Sequence, residues 1–176
     1  MFKNKILLIT GGTGSFGNAV LNHFINSDLK EIRIFSRDEK KQEDMRIVFK
    51  NKKINFFIGD VRDKDRLSRA MNGVDYVVHA AATKIVPTAE YNPFECVKTN
   101  VIGAMNIIDT SIDNSVKGVV ALSTDKASSP INLYGATKLA SDKLFVAGNS
   151  YSGGGTKFSV VRYGNVRSEE HTSEVQ

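Results

Sequence analysis

The stretch "ITGGTGSFG", residues 9–17, decides the fold of this chain. It follows an apolar run over residues 5–10 and opens a segment whose apolar residues recur at helical spacing. Its glycines fit Gly-x-Gly-x-x-Gly counted from Gly12, or Gly-x-x-Gly-x-x-Gly counted from Gly11. Glycines let the backbone approach a pyrophosphate, and the amides at a helix start attract its negative charge. The stretch predicts a dinucleotide-binding βαβ unit; the alternative is a tight turn that binds nothing.

Short apolar runs alternate with amphipathic segments along the rest of the chain. The expected strands are residues 5–10, 31–36, 54–59, 74–81, 116–123 and 158–164. The expected helices are residues 14–27, 37–50, 64–73, 93–112 and 132–148. This alternation predicts an α/β fold with a doubly wound parallel sheet, that is, a Rossmann-type NAD(P)-binding domain.

Composition and charge indicate which kinds of ligand and partner the protein is suited to bind. The 176 residues carry a net charge of +5, and 41% of them are hydrophobic. Lysine and arginine are scattered, so we expect no nucleic-acid binding but attraction of an anionic small molecule. Cys96 is the single cysteine and the three histidines share no spacing, so we predict neither a disulfide nor a metal site. The amino-terminal apolar run is too short for a signal peptide or membrane span, which favours a cytoplasmic protein without a membrane partner.

The last ten residues, "RSEEHTSEVQ" at 167–176, differ in character from everything before them. They are polar and aperiodic, and they resemble the translation of a common sequencing-library adapter. We expect residues 1–166 to form the NADP-binding domain, incomplete at its carboxyl end, and residues 167–176 to be a non-native tail. The alternative is a disordered natural terminus.

Selection between NAD and NADP is expected at the end of the second strand. An NAD site places a carboxylate there to accept from the ribose 2′-hydroxyl. This chain has Ser36 and Arg37 instead, with Lys40 and Lys41 beyond. A hydroxyl and a guanidinium suit a 2′-phosphate, so NADP is predicted, while Asp38 leaves NAD as the less favoured alternative.

Two possible acid–base pairs lie in "LSTDKASSPINLYGATK", residues 122–138. Tyr134 and Lys138 are four residues apart on one helix face, where an ammonium would lower the pKa of the phenol and make it a base. Ser123 or Thr124 could hydrogen-bond a substrate hydroxyl. The Asp125-Lys126 pair upstream suggests a second proton transfer; the alternative is a helix-capping aspartate beside a solvated lysine.

The chain resembles the extended short-chain dehydrogenase/reductases, and among them the bacterial inverting UDP-N-acetylglucosamine 4,6-dehydratases of pseudaminic-acid and capsular polysaccharide biosynthesis. The motifs are "ITGGTGSFG", "FSRDEKKQ", "GDVRD", "HAAATKIVPTAEYNPFECVKTNVIGAMN", "LSTDKASSPINLYGATKLASDKLF" and "VVRYGNV". Thr83 departs from the pattern, which has an aliphatic residue before the lysine. The resemblance implies a UDP-sugar substrate, and we expect a homo-oligomer at full length.

The resemblance also implies the roles of the two pairs. Tyr134 assists removal of the carbon-4 hydroxyl proton while NADP⁺ takes the hydride. Lys126 then removes the carbon-5 proton, Asp125 protonates the departing carbon-6 hydroxyl, and hydride returns to carbon 6 with inversion at carbon 5. In these roles the pKa of Lys126 should fall and that of Asp125 should rise.

The site residues predicted from motifs and resemblance together form three groups. The catalytic group is Thr124, Asp125, Lys126, Tyr134 and Lys138. The cofactor group is Gly11, Thr13, Gly14, Ser15, Phe16, Gly17, Ser36, Arg37, Lys40, Asp60, Val61, Ala80, Ala82, Lys84, Asn100, Tyr134 and Lys138. The substrate group is Lys84, Asn165 and Val166, and no metal ligand is predicted.

Two other functions stay open at this point. A nucleotide-sugar 4-epimerase shares the glycine loop and the Tyr-x-x-x-Lys pair but needs no Asp-Lys pair. A non-catalytic NADP-binding protein would need neither pair. Because most of the substrate-holding lobe of the resembled family is missing, we expect this 176-residue chain itself to be inactive.

Overall fold

The fold rests on one parallel sheet of six strands. The computed structural model describes residues 2–164, so Asn165, Val166 and the expected tail lie outside the described residues. The strand order is β3-β2-β1-β4-β5-β6, and every neighbouring pair is parallel. The strands are β1 Ile6–Thr10, β2 Glu31–Ser36, β3 Ile54–Ile58, β4 Tyr76–His79, β5 Gly118–Thr124 and β6 Lys157–Tyr163. The predicted doubly wound α/β fold is confirmed.

Helices connect the strands and cover the sheet. They are α1 Ser15–Phe24, α2 Glu39–Phe49, α3 Lys64–Met71, α4 Val86–Tyr91, α5 Pro93–Val97, α6 Gly103–Asp113 and α7 Leu133–Tyr151. A π-helical turn, Lys98–Ile102, joins α5 to α6, and a 3₁₀ turn, Asp125–Ala127, follows β5. No helix within residues 2–164 has the length and apolar character needed to cross a bilayer.

The alternation of side chains along β1 divides the core between the two faces of the sheet. Leu7 and Ile9 pack into a cluster with side chains of α1 and α2. Leu8 points the other way and packs with side chains of α3, α6 and α7. Because successive strand residues alternate sides, a strand that is apolar throughout is buried on both faces, as β1 is.

The segment after β4 differs from its prediction. A single helix was expected over residues 93–112, but α5, the π-helical turn and α6 follow one another there, and α4 precedes them. Asn92 interrupts the helical backbone with φ −127° and ψ 59°, and Pro93 begins the next helix. The π-helical turn buries Thr99 and Asn100, which brings polar side chains toward the end of β4.

Candidate functional site

A cleft of about 330 Å³ opens at the carboxyl ends of the strands. It lies where the strand order reverses between β1 and β4, which is the usual ligand position in open parallel sheets. Its walls come from the glycine loop, the ends of β2 to β6 and the start of α7. The lining residues are Gly11, Thr13, Gly14, Ser15, Phe16, Gly17, Phe35, Ser36, Arg37, Asp38, Lys41, Gly59, Asp60, Val61, Ala80, Ala81, Ala82, Lys84, Thr99, Leu122, Ser123, Tyr134, Lys138 and Tyr163.

The glycine loop needs glycine at two positions for different reasons. Gly11 has φ +66°, and a Cβ there would lie 2.7 Å from the amide nitrogen of Ala81. A Cβ on Gly17 would lie 2.5 Å from the Cα of Gly12, so α1 packs directly on the loop backbone. Gly14 caps α1 without a side-chain hydrogen bond, so side chains do not shield the first amides of α1. Backbone amides and a helix start facing a cleft fit a dinucleotide pyrophosphate.

The far end of the cleft carries positive charge near the end of β2. Ser36, Arg37 and Lys41 line it. The carboxylate of Asp38 accepts from the backbone amide of Lys41 at 2.9 Å, so it caps α2. A guanidinium nitrogen of Arg37 lies 3.6 Å from Oδ2 of Asp60.

Lys40 does not belong to this cleft, in contrast to its prediction. It pairs with Asp44 one turn further along α2, at i and i+4. Lys41, one residue later, lines the cleft instead. The physical reason is helix phase, because a 100° rotation between neighbouring residues sends two adjacent lysines in different directions.

Asp60 is held by its own neighbour. Its two carboxylate oxygens accept from the backbone amide of Arg62 at 2.9 Å and from the Arg62 guanidinium at 2.7 Å. Burial raises the pKa of Asp60, but the hydrogen bonds from Arg62 outweigh burial and lower it. Asp60 is therefore an anchored carboxylate at the cleft wall.

Lys138 and Tyr134 stand at the base of the cleft, one turn apart on α7. The Lys138 ammonium donates to the carbonyl oxygen of Leu122 at 2.6 Å, and burial lowers its pKa to about 8 against the opposing charge of Asp142. Burial raises the pKa of Tyr134, and a hydrogen bond with Thr124 partly offsets the rise. This direction is opposite to the predicted lowering, because the half-buried phenol loses solvation and the Lys138 ammonium is bonded to β5.

Thr124, Asp125 and Lys126 form a compact group at the end of β5. The Thr124 hydroxyl donates to Oδ1 of Asp125 at 3.0 Å, and Nζ of Lys126 lies 3.4 Å from the same oxygen. The Thr124 hydrogen bond and then the Lys126 contacts lower the pKa of Asp125, although a proton donor needs it raised. The predicted rise in the pKa of Asp125 is therefore wrong, because the structure shows this carboxylate exposed and paired with Lys126. Thr124 contacts both Asp125 and Tyr134, so it links the two predicted acid–base pairs.

Asn100 lies beneath the cleft rather than in its lining. Its side-chain oxygen accepts from the amide of Thr83 at 2.8 Å, and its amide group donates to the carbonyl of Thr83 at 2.9 Å and to the Thr137 hydroxyl at 3.0 Å. These hydrogen bonds tie the segment after β4 to α7. Asn100 was predicted to contact the cofactor directly, but the structure gives it a supporting position outside the cleft lining. Thr83 enters this network through its backbone, so its departure from the resembled pattern changes nothing here. Lys84 follows at the exposed edge of the cleft.

Of two further cleft residues, Tyr163 was not assigned from the sequence, and Ser123 was named only as an alternative to Thr124 for binding a substrate hydroxyl. The hydroxyl of Ser123 is buried without a hydrogen-bonding partner, alone in this respect among the side chains of residues 2–164. Tyr163, the last residue of β6, stacks on Phe16. Their position in the cleft depends on the register of β5 against β4 and of β6 against β5, which no local motif indicates. Over the same residues, no group of three or more metal-ligating side chains gathers.

Comparison with known proteins identifies the family. Residues 7–170 match the family described as polysaccharide biosynthesis protein. The chain belongs to this family. It is 60% identical over 168 residues to a UDP-N-acetylglucosamine 4,6-dehydratase (inverting) of Campylobacter jejuni, and 57% identical over 171 residues to a UDP-glucose 4-epimerase of Rickettsia felis; both alignments cover 94% of this chain and 50% of the relative. The resemblance to inverting dehydratases is confirmed.

A solved structure has the same architecture. The X-ray structure of Pen from Bacillus thuringiensis is 44% identical with a TM-score of 0.92, and the match covers 94% of this chain and 52% of that one. The chain therefore spans about half the length of the relatives and the solved structure that it matches.

Proposed function

We propose that this sequence is the nucleotide-binding half of an inverting UDP-N-acetylglucosamine 4,6-dehydratase that uses NADP. The observation that carries the proposal is that Thr124 donates a hydrogen bond to Asp125 and also interacts with Tyr134, so the two predicted acid–base pairs lie next to each other at the end of β5. The 60% identity to a dehydratase of this name supports the reaction. Pseudaminic-acid biosynthesis, a homo-oligomer and a cytoplasmic location stay predictions.

The cleft residues fit a bound NADP. The glycine loop would hold the pyrophosphate, and Arg37, Ser36 and Lys41 would hold a 2′-phosphate beside the start of α2. Asp38 also lines the cleft while its Oδ1 caps α2, so NAD, which would need this carboxylate at a ribose hydroxyl, stays the less favoured alternative. The cofactor would supply reversible hydride transfer. The buried Ser123 hydroxyl and the Lys138 ammonium would form the floor beneath it.

The acid–base groups would divide the proton transfers. As a phenolate, Tyr134 would accept the proton of the carbon-4 hydroxyl, assisted by Thr124, which requires that the positive charge of a bound oxidised cofactor offset the effect of burial on its pKa. Lys126 would remove the carbon-5 proton, and Asp125 would protonate the leaving carbon-6 hydroxyl. Because the hydrogen bond from Thr124 and then the contacts with Lys126 lower the pKa of Asp125, these roles require that the bound sugar break these contacts and desolvate the carboxyl group.

A nucleotide-sugar 4-epimerase is the second candidate, and the 57% identity to proteins named UDP-glucose 4-epimerase favours it. Epimerisation needs Tyr134 and the cofactor but no elimination at carbon 6. The Asp125–Lys126 pair would then have a structural role at the 3₁₀ turn.

The test uses a version of the protein extended to the length of its relatives. It is incubated with UDP-N-acetylglucosamine, and the sugar is followed by NMR. We expect a 4-keto-6-deoxy product inverted at carbon 5. A carbon-4 epimer would establish the second candidate, and dinucleotide binding without turnover of any UDP-sugar would indicate a non-catalytic NADP-binding protein.

A further inference from the structure

An aromatic pair joins the glycine loop to the last strand across the cleft. Phe16 is the second residue of α1, and Tyr163 ends β6. Their ring centroids are 5.8 Å apart and their planes differ by 10°, so the rings are offset and stacked. Both residues line the cleft, although 147 positions separate them in the sequence (163 − 16).

We propose that Tyr163 is a positioning residue for the dinucleotide, acting through Phe16 on the glycine loop. The proposal rests on the proposed function, since it assumes that the loop binds a pyrophosphate. It adds a residue of β6 to a site otherwise attributed to the loop and to α7.

The loop has few other attachments at this end. Its beginning is fixed by the backbone, because the amide of Gly11 donates to the carbonyl of Phe35 at 2.9 Å. At its helical end, the Asn18 side chain of α1 donates to the carbonyl oxygen of Gly14 at 3.1 Å, but no side-chain hydrogen bond caps α1 and Gly14 offers no side chain that could reach the sheet. The Phe16 ring, 37% exposed, is therefore the side chain that connects this end of the loop to the sheet.

Tyr163 also lies close to the acid–base groups. Burial, and to a smaller degree the nearby Tyr163, raise the pKa of Tyr134, and burial also raises the pKa of Tyr163 itself. A Cβ on the next residue, Gly164, would lie 3.8 Å from Oδ2 of Asp125. The end of β6 thus lies between the glycine loop and the predicted catalytic group. Through the stacked rings, the position of β6 fixes the position of the loop.

The test measures the dissociation constant of NADPH by fluorescence titration of the 176-residue chain and, in parallel, that of adenosine 2′,5′-bisphosphate. This second ligand carries the adenosine end and lacks the dinucleotide pyrophosphate. We expect Tyr163→Leu to weaken NADPH binding about five-fold, while Tyr163→Phe, which keeps the ring, stays within about two-fold of the parent. Binding of adenosine 2′,5′-bisphosphate should not change in either variant.

Phe16→Leu tests the same stacking contact independently by removing the other ring. It should match Tyr163→Leu, and the double variant should be no weaker than either single variant, because one contact is removed in all three. Tyr151→Leu is the matched control, since this tyrosine is 73% exposed at the end of α7.

Two results would overturn the inference. One is an unchanged NADPH constant in Phe16→Leu and Tyr163→Leu. The other is an equal loss for both ligands, which would indicate general destabilisation. If the parent chain binds neither NADPH nor NADH, the proposed function fails and this inference fails with it.

Discussion

Lys138 and His79 are titratable side chains buried beneath the cleft, and each is stabilised in a particular form. Burial lowers the pKa of His79 to about 3, and the Lys138 charge adds to this effect. Nδ1 of the neutral ring lies 2.7 Å from the Thr10 hydroxyl. Lys138 has Asp142 as its counter-charge, and Arg162 donates to Asp142 at 2.8 Å. The buried charges of Lys138 and Asp142 therefore compensate each other, which offsets the cost of removing them from water.

His79 should make the chain sensitive to acid. Its pKa is about 3 when folded and 6.5 when unfolded, so the unfolded chain binds the proton first as the pH falls. Stability is therefore lost between pH 6.5 and pH 3, by on the order of 5 kcal/mol in total. We expect His79→Gln to reduce the loss of unfolding free energy between pH 7 and pH 4, measured by urea denaturation. The exposed His23→Gln is the control, and an unchanged slope in His79→Gln would contradict the assignment.

A variant of Lys126 distinguishes the proposed dehydratase function from the proposed epimerase function. In the version extended to the length of the relatives, we expect Lys126→Ala to lower dehydration by at least about a hundred-fold, because no other group is assigned to remove the carbon-5 proton. NADPH binding should stay within about two-fold, since Lys126 is outside the cleft lining. Lys143→Ala, an exposed lysine on α7, is the control. Turnover like that of the parent would refute the role of Lys126 as a base.

At the scale of elements, the π-helical turn Lys98–Ile102 performs a task that a straight helix would not. It turns Asn100 inward, where the side chain satisfies both backbone groups of Thr83 and contacts Thr137. The segment after β4 lines the cleft at Ala80, Ala81 and Ala82, so its position depends on this anchor.

Removing the Asn100 side chain should leave the Thr83 backbone groups unpaired in a partly buried setting. We expect Asn100→Ala to lower the free energy of unfolding by about 2–3 kcal/mol, the usual cost of buried unsatisfied groups. Urea denaturation at pH 7 measures this, with the exposed Asn22→Ala on α1 as the control. A loss below about 0.5 kcal/mol would show that the segment is held by other contacts.

The elements also show what local sequence can and cannot predict. The strands and the glycine loop follow from spacing along the chain, and so does the turn that places Tyr134 and Lys138 on one face. The π-helical turn was missed because the apolar periodicity of residues 93–112 continues through it, and α4, which ends before Asn92, was not predicted. Ser123, Tyr163 and the pKa direction of Tyr134 depend on burial between strands distant in sequence, which a single motif does not encode.

At the scale of the whole molecule, the sheet is covered unevenly. One face of β4 and β5 forms the wall of an apolar groove of about 550 Å³, lined by residues such as Phe24, Tyr76 and Val78. Val120 on this face is 38% exposed, and Val161, which pairs with Leu122 two residues further along the neighbouring strand, is 47% exposed. Parallel sheets are normally buried on both faces, so a groove of this kind is unusual for an isolated chain.

This face should make the 176-residue chain prone to self-association. We expect the double variant Val120→Thr, Val161→Thr to bind several-fold less of a hydrophobic dye and to scatter less light at equal concentration, because threonine keeps the β-branched shape and adds a hydroxyl. Val48→Thr on α2 is the matched control, since this valine is 75% exposed on the outer side of a helix. Equal dye binding and scattering in all variants would locate the association elsewhere, with the edge strand β6 as the next surface to test.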